Sequence, residues 1–468
     1  MPPRSDFVVV ANRLPVRRVK RDALYEWETS PGGLVSALMP VLRGQAEVAR
    51  LIARGAWIGW NGSTSSDMLD PFDHDGIRNV PLPISRKELA GYYEGIANSS
   101  IWPLYHDAIR APTYRRRWWP DYEAVNERFA EAAAAEAARN AVVWVHDYHL
   151  HLVPRMLRER RPDLRIGFFL HIPFPGRGLF AQLPWRKQIV EGTLGADVIG
   201  FQTVYAARNF IDLATWFGDA KRVRRGVDCD GRHVKIDGFP ISIDFNKFDE
   251  IAQRPEVRER AARYRQRLGD RHVLLGVDRM DYTKGIDVRL RALHELFKRG
   301  VLSIENTVLI QSAVPTRERV SDYAELRSTV EELVGQINGE FGEVGLVGVQ
   351  YLRQNLPIDE LVALYVAADV MLVTPFRDGM NLVAKEFIAS KSDNSGRLVL
   401  SEFTGAANEL KQAILVNPHD LDALANAIDD AVHMDDAEAR RRMRSLRGTV
   451  RKHDVYDWAN SFLRELAA

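Results

Sequence analysis

The sequence has a single cysteine, Cys229, in 468 residues. That excludes an intramolecular disulfide framework and a cysteine-built metal cluster, and it makes the cytoplasm the default compartment. Excess charge of either sign is also lacking. Lys and Arg number 64 against 63 Asp and Glu, a net of +1, so nothing global argues for nucleic acid or a membrane surface as partner. No apolar run is long enough to span a bilayer, and the N-terminal MPPRSDFVVVANRLPV carries too short an apolar stretch for a secretory signal. No G-x-x-x-x-G-K-[ST] occurs, which removes a P-loop. No G-x-G-x-x-G follows a β-like run, which weakens an NAD-dependent reading. Internal repeats are missing, and the one low-complexity tract is Ala132–Ala138.

What is present is a packed α/β chain. A hydrophobic fraction of 46% with 27% charged residues suits a globular protein, and the length suits two large domains or three ordinary ones. Short β-branched runs alternate with amphipathic helical patterns. Phe7–Ala11, Val142–His146, Ile166–His171 and Val198–Gln202 read as strands, Leu34–Ala53 and Tyr122–Ala138 as helices. Arg222–Ile243 breaks the rhythm and predicts a β-hairpin near a domain seam. A second series follows, with strands at Val273–Val277, Thr307–Gln311, Val347–Leu352, Val370–Val373 and Leu398–Leu400, and helices at Val288–Lys298 and Tyr323–Phe341. The expected architecture is two Rossmann-like domains facing a central cleft. Residues 1–240 form the first and 241–454 the second, followed by an amphipathic helix over 455–468.

Thr374–Glu386, TPFRDGMNLVAKE, is the stretch with the most chemistry. A strand, a turn and a helix starting near Asn381 make an anion site, where free N–H groups and the helix dipole converge. Gly379, Met380 and Asn381 are its expected backbone donors, and Asp378 and Glu386 suit sugar hydroxyls. In Val277–Gly285, VDRMDYTKG, Arg279 and Lys284 are spaced to reach one diphosphate from different sides. A solvated loop would look similar; the helix after Gly285 favours function. Gly32-Gly33 permits close approach to a ligand, although a plain helix-start turn explains it equally.

Several strand ends add candidates. Arg13 follows the first strand. His146-Asp147-Tyr148-His149 ends another, as a metal site or as contacts to hydroxyls and phosphates; its spacing fits no common metal pattern. His171 ends the next strand, and Arg317 follows one in the second series. Tyr93 and Trp102 sit in an aromatic stretch that could stack on a sugar, or simply fill a core. Arg115–Arg117 beside Trp118-Trp119 is an isolated basic patch and makes a poor nucleic-acid site.

These motifs together resemble the trehalose-6-phosphate synthases. ANRLP, PGG, WVHDYHL, FFLHIPFP, DRMDYTKG and TPFRDGMNLVAKE stand in that family's order across nearly the whole chain. The resemblance implies a retaining GT-B glycosyltransferase moving glucose from a nucleoside-diphosphate glucose (UDP-, ADP- or GDP-glucose) to glucose 6-phosphate. It implies donor contacts from Gly32, Gly33, His171, Arg279, Lys284, Leu356, Asp378, Gly379, Met380, Asn381, Leu382, Val383 and Glu386. Arg279, Lys284, Asp378 and His171 would be the catalytic set. Arg13, Tyr93, Trp102, Asp147 and Arg317 would hold glucose 6-phosphate. It further implies no metal or other cofactor, a front-face reaction without an enzyme nucleophile, a 455–468 helix that packs back on the first domain, and a homodimer or homotetramer. Two alternatives share these residues: a sister transferase with another phosphorylated acceptor, and a non-catalytic sugar-phosphate sensor.

Overall fold

Val8, Val9 and Val10 are apolar in succession because the strand they form is covered on both faces, the pattern of a parallel sheet. In the computed structural model, residues 4–21, 24–30, 35, 38–39, 42, 54–64, 69–317 and 321–467 are described. The expected helix Leu34–Ala53 and the turn Pro31-Gly32-Gly33 lie largely or wholly outside them. The chain forms two compact units, residues 1–241 with 455–468, and residues 242–454.

Among the described residues unit 1 has twelve strands. They are β1 Ser5–Arg13, β2 Val16–Arg21, β3 Leu24–Thr29, β4 Gly55–Trp60, β5 Phe72–His74, β6 Ile77–Leu82, β7 Ala137–His146, β8 Arg165–Phe169, β9 Val198–Phe201, β10 Lys221–Val223, β11 Gly226–Cys229 and β12 Arg232–Gly238. β2 and β3 pair as a separate hairpin, and the others form one sheet in the order β10-β11-β12-β9-β8-β7-β1-β4-β6-β5. Its parallel part runs outward from β1 in both directions, through β4 and β6 on one side and β7, β8, β9 and β12 on the other. The topological switch therefore falls between β1 and β7, where the loops after those strands diverge. Arg222–Ile243 is more than the hairpin its alternation suggested. Three antiparallel strands turn there, and the last, β12, joins β9 in parallel.

Unit 2 has β13 His272–Arg279, β14 Thr307–Val314, β15 Val349–Leu352, β16 Val370–Val373, β17 Arg397–Ser401 and β18 Ile414–Val416, in the order β15-β14-β13-β16-β17-β18. This is the doubly wound Rossmann arrangement, all parallel, with its switch between β13 and β16.

The tail helix Val455–Ala467 belongs to unit 1. Gly167 on β8 and Gly200 on β9 leave the groove that receives Phe462. A Cβ on either would come within 2.8 Å of that ring. Phe462 stacks on Trp144 at 4.7 Å, and Trp458 lies 5.2 Å from Trp144 and edge-on to Phe169 at 5.2 Å. No helix among the described residues is long and apolar enough to cross a membrane.

Candidate active site

In unit 2 the switch point brings together two loops that are far apart in sequence. The loop after β13 turns at Tyr282–Lys284 as a short 3-10 helix, capped by Asp281, whose Oδ1 accepts from Thr283 N at 3.0 Å and Thr283 Oγ1 at 2.9 Å. Gly285 ends it at φ 61°, where a side chain would meet the Thr374 carbonyl oxygen at 2.3 Å. The loop after β16 is tied to it twice. Phe376 N donates to Thr283 O at 2.8 Å, and Lys284 Nζ donates to Asp378 Oδ2 at 2.6 Å. Arg279 is exposed at the end of β13. Arg317 is buried beside the same loop, its Nη1 3.2 Å from Asp281 Oδ2 and hydrogen-bonded to Tyr323 Oη. Burial works to raise the Asp281 pKa, but the fields of Arg317, Arg279 and Lys284 outweigh it and hold the carboxyl below its usual range.

A fully buried guanidinium braces these loops from beneath. Arg289 donates through Nη1 to Asp278 Oδ2 and Gln311 Oε1, both at 2.8 Å, and through Nε to Thr374 Oγ1 at 3.1 Å. β13, β14 and the end of β16 are thus joined at one side chain. Gly276 makes room for it, since a Cβ there would lie 2.1 Å from Arg289 Nη1.

The helix Leu382–Ser390 starts at Asn381, whose Oδ1 accepts from Ala384 N at 3.0 Å and whose Nδ2 donates to Asp378 Oδ2 at 3.1 Å. Its φ is 102°. Gly379 and Met380 are buried, and this stretch is tied to Thr404–Ala406, with Gly405 N donating to Asp378 O at 3.2 Å and Ala406 N to Met380 O at 3.1 Å. Asn381, Leu382 and Val383 are the half-exposed residues of the first turn. Asn381→Ala should cost about 1 kcal/mol for the lost cap, plus strain at a positive φ, read as a lower urea midpoint with unchanged slope. Glu386 lies one turn further on and accepts from Tyr365 Oη at 2.9 Å; burial raises its pKa. Leu356 is buried, between β15 and the helix Ile358–Ala367.

In unit 1 the switch between β1 and β7 carries a second cluster. The Arg13 guanidinium lies 4.0 Å over the Trp60 ring, which packs at 6.0 Å on Tyr93, which stacks on His149 at 5.7 Å and 9°. Tyr92 donates to Asn12 Oδ1 at 2.8 Å from the segment Leu89–Ile101, which is wound as a π-helix, a form often found at functional sites. Asp147 follows β7 at φ 76°, a strained value for a residue other than glycine, and its Oδ1 accepts from His171 N at 3.2 Å. His171 Nε2 is 3.1 Å from His146 Nδ1. Trp102 is buried, packed against His106 and Tyr148 at 4.1 and 5.6 Å. The candidates therefore divide: Arg13, Tyr93, Asp147 and His171 cluster in unit 1, while Arg317 sits in unit 2 with Arg279 and Lys284. Reading the sequence missed Trp60 and Arg289. Trp60 ends β4, whose AWIGW run has neither alternation nor a β-branched stretch to mark it.

Desolvation holds three imidazoles neutral. The pKa of His171 and of His151 falls to about 3, and that of His146 falls well below the usual value. The folded state therefore binds fewer protons than the unfolded one below about pH 6.5. Stability is present above that pH and is lost as pH falls from about 6.5 towards 3. A urea series at pH 7.5 and 5.5 should show a loss of about 1 kcal/mol for each imidazole.

Residues 5–468 match the family described as glycosyltransferase family 20. A trehalose-6-phosphate synthase from Mycobacterium avium is 54% identical, over 99% of this chain and 95% of its own. Two solved structures show the same fold. An α,α-trehalose-phosphate synthase (UDP-forming) from Burkholderia xenovorans, in complex with glucose 6-phosphate, superposes with a TM-score of 0.90 at 31% identity, covering 99% of this chain and 100% of that one. An Escherichia coli protein bound with UDP-2-fluoro glucose gives a TM-score of 0.89 at 31% identity, covering 98% of each chain.

Proposed function

The chain belongs to glycosyltransferase family 20, a GT-B fold of two Rossmann-like domains, and from that premise we propose that it moves glucose from a nucleoside-diphosphate glucose to glucose 6-phosphate. The product is α,α-trehalose 6-phosphate. The observation that carries this reading is the pair of switch points, each furnished with polar groups of a different kind. Unit 2 offers Arg279, Lys284 and the first turn at Asn381–Val383 for a diphosphate, with Asp378 and Glu386 for hydroxyls. Unit 1 offers Arg13 on an aromatic stack with Tyr93, and Asp147, for a phosphorylated sugar. Arg317 adds a cation from unit 2, and Leu356 lines the nucleotide side.

The chemistry follows from charge. As the glycosidic bond to the diphosphate breaks, negative charge grows on the leaving oxygen and positive charge on the sugar ring. Arg279, Lys284 and the helix N-terminus stabilise the first without a metal. Asp378 is held by Lys284 and Asn381, which suits orienting glucose hydroxyls and makes it a poor nucleophile. Retention then comes from attack on the face the leaving group departs from, the phosphate taking the acceptor's proton. His171 is neutral at pH 7 and fit to hydrogen-bond a donor hydroxyl.

The test is glucose transfer to glucose 6-phosphate from UDP-, ADP- and GDP-glucose in parallel, with EDTA present. Turnover undiminished by EDTA is expected, and the donor ratios identify the base. Binding of donor without transfer from any of the three would instead support the other-acceptor or sensor reading. Arg13→Ala should raise KM for glucose 6-phosphate at least tenfold with a smaller change in kcat, because it removes a ground-state phosphate contact. The protein acts in the cytoplasm as a homodimer or homotetramer, a size that sedimentation reads directly.

A further inference from the structure

At the opposite end of the unit 1 sheet from Asp147 and His171 lies a half-open cavity of about 420 Å³. It is lined by Arg165 at the start of β8, Val198 at the start of β9, Arg224 and Arg225 from the β10–β11 turn, His233 and Lys235 on β12, with Asp197, and Glu465 and Leu466 from the tail helix. Arg165 opens β8 and His171 lies two residues past its other end, roughly 20 Å away at the usual rise per residue. The volume lies within the range of about 300–1,000 Å³ that small-ligand sites occupy.

The lining has more cations than it can satisfy. Asp197 is already engaged from outside the cavity by Arg158 at 2.6 Å and Arg232 at 3.5 Å. Glu465 is shared between Lys235 and Arg225, and Arg225 also pairs with Asp237 at 2.5 Å. Arg165 and Arg224 have no carboxylate partner among the described residues. Burial first, and then the neighbouring Arg225 charge, lower the Lys235 pKa against the opposing pull of Asp237. Two planar guanidiniums and an ammonium around one concavity suit phosphate oxygens, which accept bidentate donors.

We propose that this cavity binds a small metabolite carrying two phosphate groups, distinct from both substrates' sites, with Glu465 as the internal carboxylate that the ligand displaces. The ligand bridges Arg165 and Arg224 and takes over Lys235. The tail helix then carries the ligand's presence, because Glu465 and Trp458 are on the same helix and Trp458 packs 6.2 Å from the His171 ring.

The test uses inorganic pyrophosphate as probe, by calorimetry on the full chain with UDP and glucose 6-phosphate saturating the other sites. One remaining pyrophosphate site is expected. Arg165→Ala combined with Arg224→Ala should weaken it at least tenfold; both residues are exposed, so the fold should survive, and circular dichroism checks this. Glu465→Gln should tighten it severalfold, a gain that misfolding cannot produce. No extra site in the saturated wild type, equal binding by the double variant, or no tightening by Glu465→Gln would each overturn the proposal.

Discussion

Arg279→Ala should lower kcat/KM for glucose transfer by two orders of magnitude or more, about 3 kcal/mol of transition-state stabilisation. The magnitude follows from what the side chain faces. Arg279 is exposed at the end of β13, beside a loop whose other cation, Lys284, is already paired with Asp378. Its exposure at the strand end puts the guanidinium where charge growing on a leaving diphosphate can reach it. The loss should appear in kcat as well as KM, since that charge is largest in the transition state. Arg279→Lys keeps the charge but loses the fork, so it should recover only part of the rate. Near-wild-type turnover in the alanine variant would remove Arg279 from the catalytic set.

Arg289→Leu should destabilise unit 2 by about 3–5 kcal/mol, because Asp278 is left as a buried charge without its partner. Asp278 and Arg289 side chains are 4% and 0% exposed, so water cannot compensate. At roughly 2–4 °C per kcal/mol for a unit of this size, the Tm should fall by about 10 °C. Pairing Arg289→Leu with Asp278→Leu should restore part of the loss, since an apolar pair removes the stranded charge. If the single variant melts like wild type, the network does not hold the two loops.

How much of this was legible in the sequence depends on the range of the interaction. Phe7–Ala11 and Val370–Val373 announced themselves because strands buried on both faces need unbroken apolar runs. β4 did not, because Gly55–Trp60 mixes Gly and Trp with few β-branched residues. The π-helical winding of Leu89–Ile101 has no local pattern to read, and it is what aims Tyr92 at Asn12. The site loops could be marked as strand ends, with Asp378 and Arg279 in them. The pairing of Lys284 with Asp378 spans 94 residues and follows only from the order of strands in the sheet. Arg289 was hidden for a related reason. In a helix sequence it looks like any solvent-facing arginine, and only the glycine opposite, Gly276, betrays the space kept for it.

The return of the tail helix to unit 1 has a consequence for synthesis. β8 and β9 leave the ribosome with the groove at Gly167 and Gly200 already formed in sequence, yet its occupant, Phe462, arrives only after the whole of residues 242–454. Until then the Trp144 and Phe169 rings that Phe462 and Trp458 cover stay open to solvent. Unit 2 is continuous and can fold as it emerges, so the second half of the chain is complete before the first. The nascent protein thus passes through an interval with an exposed aromatic groove, and that is the stage at which a chaperone would have something to hold.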